Sequence, residues 1–541
     1  MDDDLIKKII HYHEATKHHF NKPARGPGFM DWSTQPDPFR GFEGAPVARL
    51  PVGATDDSPP YRQLFSTDAI PPAPLNVKSL ARFFELSLAI SAWKQSGVAR
   101  WALRCNPSSG NLHPTEGYAV LPAVEDILLG PGVFHYAPIQ HGLERRTGFS
   151  SELWDELMGG FPDGSFLAGL SSIHWRESWK YGERAFRYCN HDIGHALAAY
   201  QLSAASLGWV LILLDEVDDA LIASLFGLDR DADFEDAESE QSDLVALIYP
   251  GKANSSIPLD LNADVVKKIA EGTWQGKANQ LSPACRPWEI IDIAAQASLK
   301  PAGHKNDAET FSGIDESPIM RMSPAMETVS AGQIIRQRRS AVAMDGVTHI
   351  DCEDFYTVMA HTLHRLPCAG IPWSPRIHFC LYVHRVNGLV PGLYFLVRDH
   401  AKTDLAKENF KEDFLWEKPE GCPGWMGLYL LQKGDFRQVS AQVSCTQAIA
   451  GQGAFSLGML AEFVPSLNEF GPWFYRRLFW ESGMVGQMLY LAAEYIGVRG
   501  TGIGCYFDDP VHKILGLQDN TFQSLYHFTI GGPVEDTRLE Q

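Results

Sequence analysis

The nine cysteines of this sequence form no C-x-x-C pair and are odd in number. Neither a disulfide framework nor a zinc site is expected from them. No apolar run reaches about 18 residues, which excludes an ordinary membrane-spanning helix. Positive charge is also short. Against 66 Asp and Glu there are 46 Lys and Arg, for a formal net charge of -20. Such a surface repels phosphate backbones and anionic membranes, so neither nucleic acid nor a membrane is expected as a partner. A bound phosphate would need a local basic pocket. The start, Met1-Asp2-Asp3-Asp4, is acidic where a signal peptide is basic and then apolar, which makes the cytoplasm the expected location.

What is present is an ordinary globular composition, 45% hydrophobic and 11% aromatic, spread over 541 residues. That length exceeds one core, so at least two domains are expected. Residues 3–19 read as a short helix with Ile6, Ile9 and Ile10 on one side, and His11, His13, His18 and His19 suit its solvent face. Residues 21–75, rich in Pro, Gly and Asp, read as an arm wrapped over the surface. A second irregular stretch, about 253–330, reads as an interdomain connection, helical around 287–299. Segments 147–180 and 400–440 are long enough to form lids.

A search for internal repeats organises the rest. Slid by 289 positions, Gly182 meets Gly471, Arg187 meets Arg476, Gly194 meets Gly483 and Gly208 meets Gly497. The register continues without a gap to Gly227-Leu228 against Gly516-Leu517. Each copy reads as a buried helix of about twenty residues that ends at a glycine and leads into a strand. Upstream the register shifts, but echoes keep their order. Arg62-Gln63-Leu64-Phe65-Ser66 resembles Arg336-Gln337-Arg338-Arg339-Ser340, and Pro107-Ser108-Ser109-Gly110 resembles Pro367-Cys368-Ala369-Gly370. Pro131-Gly132-Val133-Phe134 likewise resembles Pro391-Gly392-Leu393-Tyr394.

Three segments carry chemistry. Asn106-Pro107-Ser108-Ser109-Gly110-Asn111 offers short donors and exposed backbone suited to the edge of a polar heterocycle, or else forms an Asx-type turn with a helix cap. Arg338-Arg339-Ser340 pairs two guanidinium groups with a hydroxyl, a compact phosphate site, or else a solvated basic cluster. In Arg499-Gly500-Thr501-Gly502-Ile503-Gly504-Cys505 the glycines let backbone amides approach a ligand, or simply make a turn. Arg538 is a further candidate cation for the phosphate. His191 and His195 sit four apart on a helix, but their repeat counterparts are Trp480 and Met484, so they read as packing residues and no metal is expected.

The ordered set R-R-S, P-S-S-G-N, long core helix, G-I-G and terminal Arg resembles the nitroreductase family. The resemblance spans about 62–252 and 331–541. It implies an α+β fold of two tandem nitroreductase-like domains, each a mixed, mainly antiparallel sheet flanked by helices, forming an intrachain pseudo-dimer. The implied boundaries are 1–61 for an N-terminal helix and arm, 62–252 for the first domain, 253–330 for the connection and 331–541 for the second. It implies FMN at the interface, held by Arg338, Arg339, Ser340, Asn106, Pro107, Ser108, Ser109, Asn111, Ile503, Gly504 and Arg538. NAD(P)H would be one substrate and a small molecule or a peptide the other, with ping-pong kinetics, in a monomer or weak homodimer. The stretch from Trp179 to Tyr188 resembles the SagB-type branch, whose members oxidise azolines in peptides. In that branch a Lys-Tyr pair matching Lys180 and Tyr181 is implicated in base catalysis, although a solvated lysine is the plainer reading. A flavin-binding protein without turnover is the non-enzyme alternative.

The copies depart from the family pattern in complementary ways. The first has Leu64-Phe65 in place of the arginines and Leu214-Asp215 in place of Ile503-Gly504. The second has Ile371 where Asn111 would stand. One site is therefore expected to be complete and the other stripped, with one FMN per chain.

Overall fold

The computed structural model describes residues 2–53, 56–66, 69–125, 129–252, 257–303, 328–363 and 369–540. Pro367, Cys368 and much of the connection, 304–327, lie outside these. Two antiparallel sheets with helices against them form the body of the protein, a mixed α+β fold.

The first sheet contains β1 (Thr115–Leu121), β2 (Gly132–Ala137), β3 (Gly142–Gly148), β4 (Phe166–Ser172), β5 (Trp209–Leu213) and β6 (Gln241–Pro250). The second contains β7 (Ile377–Val383), β8 (Gly392–Val397), β9 (Gly427–Lys433), β10 (Phe455–Glu462), β11 (Arg499–Ile503) and β12 (Phe522–Gly531). Spatial order in the first is β3-β2-β1-β4-β6-β5, and in the second β9-β8-β7-β10-β12-β11. The two orders are the same when read in chain sequence. Val47–Arg49 lengthens the first sheet beside β3. At its other edge, Ala369–Gly370 of the second half pairs parallel with β5. The central strands are buried on both faces, so they read as continuous apolar runs such as Ile377–Val383 and no period-2 signal marks them.

The helices repeat as well. In the first half these are α1 (His174–Tyr181), α2 (Ala185–Ser206) and α3 (Asp219–Phe226). Their partners are α4 (Phe463–Phe470), α5 (Phe474–Tyr495) and α6 (Asp508–Leu515). Every residue of α2 and α5 is buried, because they pack on each other between the sheets. A Cβ on Gly194 would lie 2.1 Å from the Trp480 carbonyl oxygen, and one on Gly483 would lie 2.1 Å from that of His191. The helices therefore cross where only glycine permits contact. Each ends at a glycine of positive φ, Gly208 (65°) and Gly497 (79°), which turns the chain into β5 and β11.

Three expectations need correction. The N-terminal helix runs only from Asp2 to Ala15, because Thr16 turns its hydroxyl back onto the Tyr12 carbonyl at 2.8 Å. It is not a surface helix throughout. His13 is fully buried against Phe463 and Tyr475, and Tyr12 sits edge-on to both Phe186 and Tyr475. Those last two residues are repeat partners, so the helix straddles both halves. Segments 147–180 and 400–440 are not lids either. The first contains the buried central strand β4 and α1, and the second contains β9. The connection holds two short helices, Ala263–Ala270 and Glu289–Ala297.

Candidate active site

From the first half, the hairpin of Ile90–Ser96 and Ala99–Arg104 feeds directly into the 106–111 loop. Ser109 pins this loop to α2, its amide and hydroxyl each donating to Asp192 at 3.1 Å. Gly110 and Asn111 both take left-handed backbone, with φ of 59° and 60°. Asn111 then donates its side-chain amide to the Ala102 carbonyl at 2.8 Å. Behind the turn stand Tyr181 and Lys180. A Cβ on Gly110 would meet the Tyr181 hydroxyl at 2.6 Å and the Lys180 ammonium at 3.0 Å.

From the second half, the helix Ala331–Gln337 ends at Arg338, whose side chain crosses to the first half. Its Nε donates to the Cys105 carbonyl at 3.2 Å and its Nη2 to the Arg104 carbonyl at 3.0 Å, with the guanidinium over the Tyr490 ring. Arg339 is turned toward Ser91 and local carbonyls. Ser340 bonds the Tyr490 hydroxyl at 2.8 Å, which also receives the Gly502 amide at 2.8 Å. At Gly504 the halves touch again. The Tyr188 hydroxyl of α2 donates to its carbonyl at 3.1 Å, and a Cβ there would lie 2.4 Å from the Tyr188 ring.

Between these walls is a cavity of about 370 Å³, lined from both halves. Asn106, Pro107, Ser108, Ser109, Asn111, Arg338, Arg339, Ser340, Ile503, Gly504 and Tyr181 all face it. A hollow of about 280 Å³ shares Lys94, Arg339 and Ser340 with it and adds Arg499. Two sequence candidates are placed differently. Lys180 lies behind Gly110 rather than in the cavity wall. Arg538 is outside the wall because its guanidinium is held by Asp536, at 2.8 and 2.9 Å. Sequence reasoning did not single out Trp101, Asp192, Tyr188, His195, Tyr490 or Tyr526 as lining residues. All but Trp101, which sits on the short hairpin strand Ala99–Arg104, lie on long buried elements where nothing local distinguishes them from core. The pairing of Asp192 with Glu481 in the repeat was the one available signal.

Burial sets the electrostatics. Asp192, buried with Ser108 and Ser109 of the loop as its hydrogen-bond partners, has its carboxyl pushed up by burial to about 7. Glu177 stands near it, and burial first, then Asp192, raises its carboxyl well above the ordinary range. His195 is held down to about 3 by burial and by Arg338, so it is neutral at physiological pH and bonds Tyr526. His191 stacks on the same Tyr526 ring. Among the described residues, no group of three or more His, Cys, Asp or Glu is arranged to hold a metal ion.

The repeat-related position is filled. Arg477 stands where Tyr188 stands and Asp215 where Gly504 stands, and Arg477 donates to Asp215 at 3.1 Å. Lys300, at 3.3 Å, adds a second cation to Asp215. Glu481, the counterpart of Asp192, accepts the Arg376 and Ile377 amides and pairs with Arg398.

Residues 91–237 match the model of the nitroreductase family. The chain carries a nitroreductase-family domain. Among solved structures, an Anabaena variabilis protein assigned to the nitroreductases matches 97% of this chain and 99% of its own, with a TM-score of 0.68 and 20% identity. The shared fold therefore covers both halves, not only the nitroreductase domain. Two others align over less. The NADPH:FMN oxidoreductase of Vibrio harveyi covers 38% of this chain and 68% of its own, at TM-score 0.23 and 17% identity. The E. coli microcin synthetase McbBCD complex has a chain covering 47% of this one and 95% of its own, at TM-score 0.27 and 17% identity. No curated protein matches the sequence.

Proposed function

We propose that this chain is an FMN-dependent oxidoreductase with one flavin site, built between a tandem pair of nitroreductase-like halves. The observation that carries this reading is Arg338. A buried guanidinium from the second half spans to the 104–105 backbone and opens on the same cavity as Asn111. The residues present fit a flavin mononucleotide. Glycines at 502 and 504 leave backbone at the wall where a Cβ would strike Tyr526 or Tyr188. The 106–111 loop supplies the polar edge, and Arg338, Arg339 and Ser340 supply cations and a hydroxyl for a phosphate.

Bound there, the flavin supplies two-electron hydride chemistry between NAD(P)H and an organic acceptor. The chain's own residues bind and orient. Tyr188 and Tyr490 fix the Gly504 and Gly502 backbone, and the neutral His195 keeps a charge away from the wall. Asp192, poised near neutrality at the cavity wall, can hold or release a proton there. Tyr181, backed by Lys180 at Gly110, supports a second reading in which a base removes a proton from an azoline-bearing peptide, as in the SagB-type branch. One partner substrate at a time occupies the pocket, which gives ping-pong kinetics.

The test is the visible spectrum of the purified protein, with phosphate analysis of the released chromophore and steady-state NADH and NADPH oxidation with a quinone. One FMN per chain is expected. The double variant Arg338→Ala, Ser340→Ala should lose flavin. Unchanged flavin content in that variant would overturn the assignment.

A further inference from the structure

Cys505 follows Gly504 directly and stands in the cavity wall, while Cys445 comes from a turn after the helix Arg437–Val443. Their Sγ atoms are 2.8 Å apart, far inside the contact distance of two unbonded sulfurs. Both belong to segments fastened together on either side of the pair. The Phe507 amide donates to the Val443 carbonyl at 2.8 Å, and the Gln447 side chain donates to the Cys505 carbonyl at 3.0 Å. Cys445 and Thr446 both take positive φ, 53° and 58°, a conformation rare for such residues. Two successive outliers aim the Cys445 sulfur at its partner, as strained backbone does at reactive sites. Cys505 is exposed and Cys445 partly so, whereas a structural cysteine pair is ordinarily buried and inert.

The charges around Cys505 favour its thiolate. His18 stands beside it, and the Nδ1 of that ring accepts the Ala24 amide at 2.9 Å, so a neutral ring carries its proton on Nε2. Arg184 donates to the Gly504 carbonyl next door and is itself paired with Asp508. Tyr181 and Tyr188 also face the thiol, and Asp508 acts on the Cys445 side of the pair. The hydrogen bond from Cys445, then His18 and Arg184, outweigh burial and hold the Cys505 thiol below its ordinary range, while Cys445 is driven up.

We propose that Cys445 and Cys505 form a redox-active dithiol at the mouth of the cavity, acting on disulfide-bearing substrates, with Cys505 as nucleophile and Cys445 as resolving thiol. The Cys505 thiolate attacks one sulfur of a substrate disulfide R–S–S–R′. The substrate S–S bond breaks, R′S⁻ leaves, and a mixed disulfide Cys505–S–S–R forms. Cys445 gives up its proton to the departing thiolate and attacks the Cys505 sulfur, releasing RS⁻ and closing the Cys445–Cys505 disulfide. Two electrons pass from the dithiol to the substrate, which leaves as two thiols. A low-molecular-weight dithiol restores the pair. The inference rests on the cysteines alone and stands whether or not the cavity takes flavin.

The test uses the full chain with Cys285, the other exposed cysteine among the described residues, and Cys368 both replaced by serine in every sample. It is treated anaerobically with oxidised glutathione, alkylated, and mapped by mass spectrometry. The wild-type pair should yield a Cys445–Cys505 cross-link and two released glutathiones. Cys445→Ser should stop at a glutathione adduct on Cys505, and Cys505→Ser should give neither product while keeping the circular dichroism of the parent. In the Cys445→Ser variant the alkylation midpoint of Cys505 should lie below the roughly 8.5 of a free thiol, and His18→Ala should move it upward. A pair that stays reduced with excess glutathione disulfide, or an adduct that forms on Cys445 in place of Cys505, would overturn the proposal.

Discussion

Arg477 meets Asp215 at 3.1 Å in the same repeat positions where Tyr188 meets the Gly504 carbonyl, also at 3.1 Å. One junction between the halves is an ion pair and the other is a hydroxyl on bare backbone. The first fills its space with charge, and the second leaves a glycine wall open to a ligand. The same contact of the repeated architecture is therefore built in two opposite ways.

That ion pair is structural, and its removal has a defined consequence. Asp215→Ala leaves Arg477 and Lys300 facing each other without their carboxylate, both nearly inaccessible to solvent. Breaking a buried pair in this way costs roughly 3–5 kcal/mol. Urea denaturation should show that loss. Binding at the open cavity should be retained in whatever fraction stays folded, since no residue of that wall is touched.

The helix crossing gives a prediction whose sign runs against helix propensity. Gly to Ala inside a helix ordinarily gains about 1 kcal/mol. At Gly194 or Gly483 the added methyl meets a backbone carbonyl of the opposite helix, so either substitution should destabilise. Backbone cannot step aside as a side-chain tip can, and overpacking of about 1–3 kcal/mol is expected on thermal or chemical denaturation. A stabilised Gly194→Ala would show that the helices can part without cost.

How much of this was legible in the sequence depends on the element. The long helices were legible because their repeat keeps one register, and glycine recurs wherever a carbonyl approaches or φ turns positive, as at Gly194, Gly208 and Gly497. In the structure that register reaches further upstream, to the start of β4 at Phe166 and of β10 at Phe455. It is hidden there because α1 and α4 face different surroundings and share almost no side chains. Arg338 and Asn111 could be named from their motifs. Tyr188, Tyr490 and Tyr526 could not, since an aromatic on a buried helix or strand reads as core. Cys445 and Cys505 lie far apart in sequence and only the fold brings their sulfurs together. Arg538 could be named as a cation, but not its partner: Asp536, two residues away, holds its guanidinium.

Gly504 separates packing from ligand binding. An alanine there would put its methyl 2.4 Å from Tyr188 Cε1, which pushes the ring or the 503–505 backbone out of place. Gly504→Ala should reduce flavin retention at least tenfold while changing circular dichroism little. Adding Tyr188→Ala restores the space but removes the hydroxyl bond to the Gly504 carbonyl, so partial recovery is expected. Full retention in the single variant would place the ligand elsewhere.

Asp192 makes a pH prediction with a definite direction. Its carboxyl titrates near 7 in the folded chain against an ordinary 3.8, because burial disfavours its charge. Between those values the folded state binds the proton that the unfolded state has lost. Stability therefore falls as pH rises from about 4 to about 7 and is level above that. Glu177, raised for the same reason, contributes in the same direction. Asp192→Asn keeps an oxygen to accept from Ser109 but cannot ionise. Its melting temperature should exceed that of the parent at about pH 8 and converge with it toward about pH 4. A parent and variant whose melting curves shift in parallel across that range would mean that Asp192 is ionised in the folded chain throughout, and that another group at the cavity holds the proton.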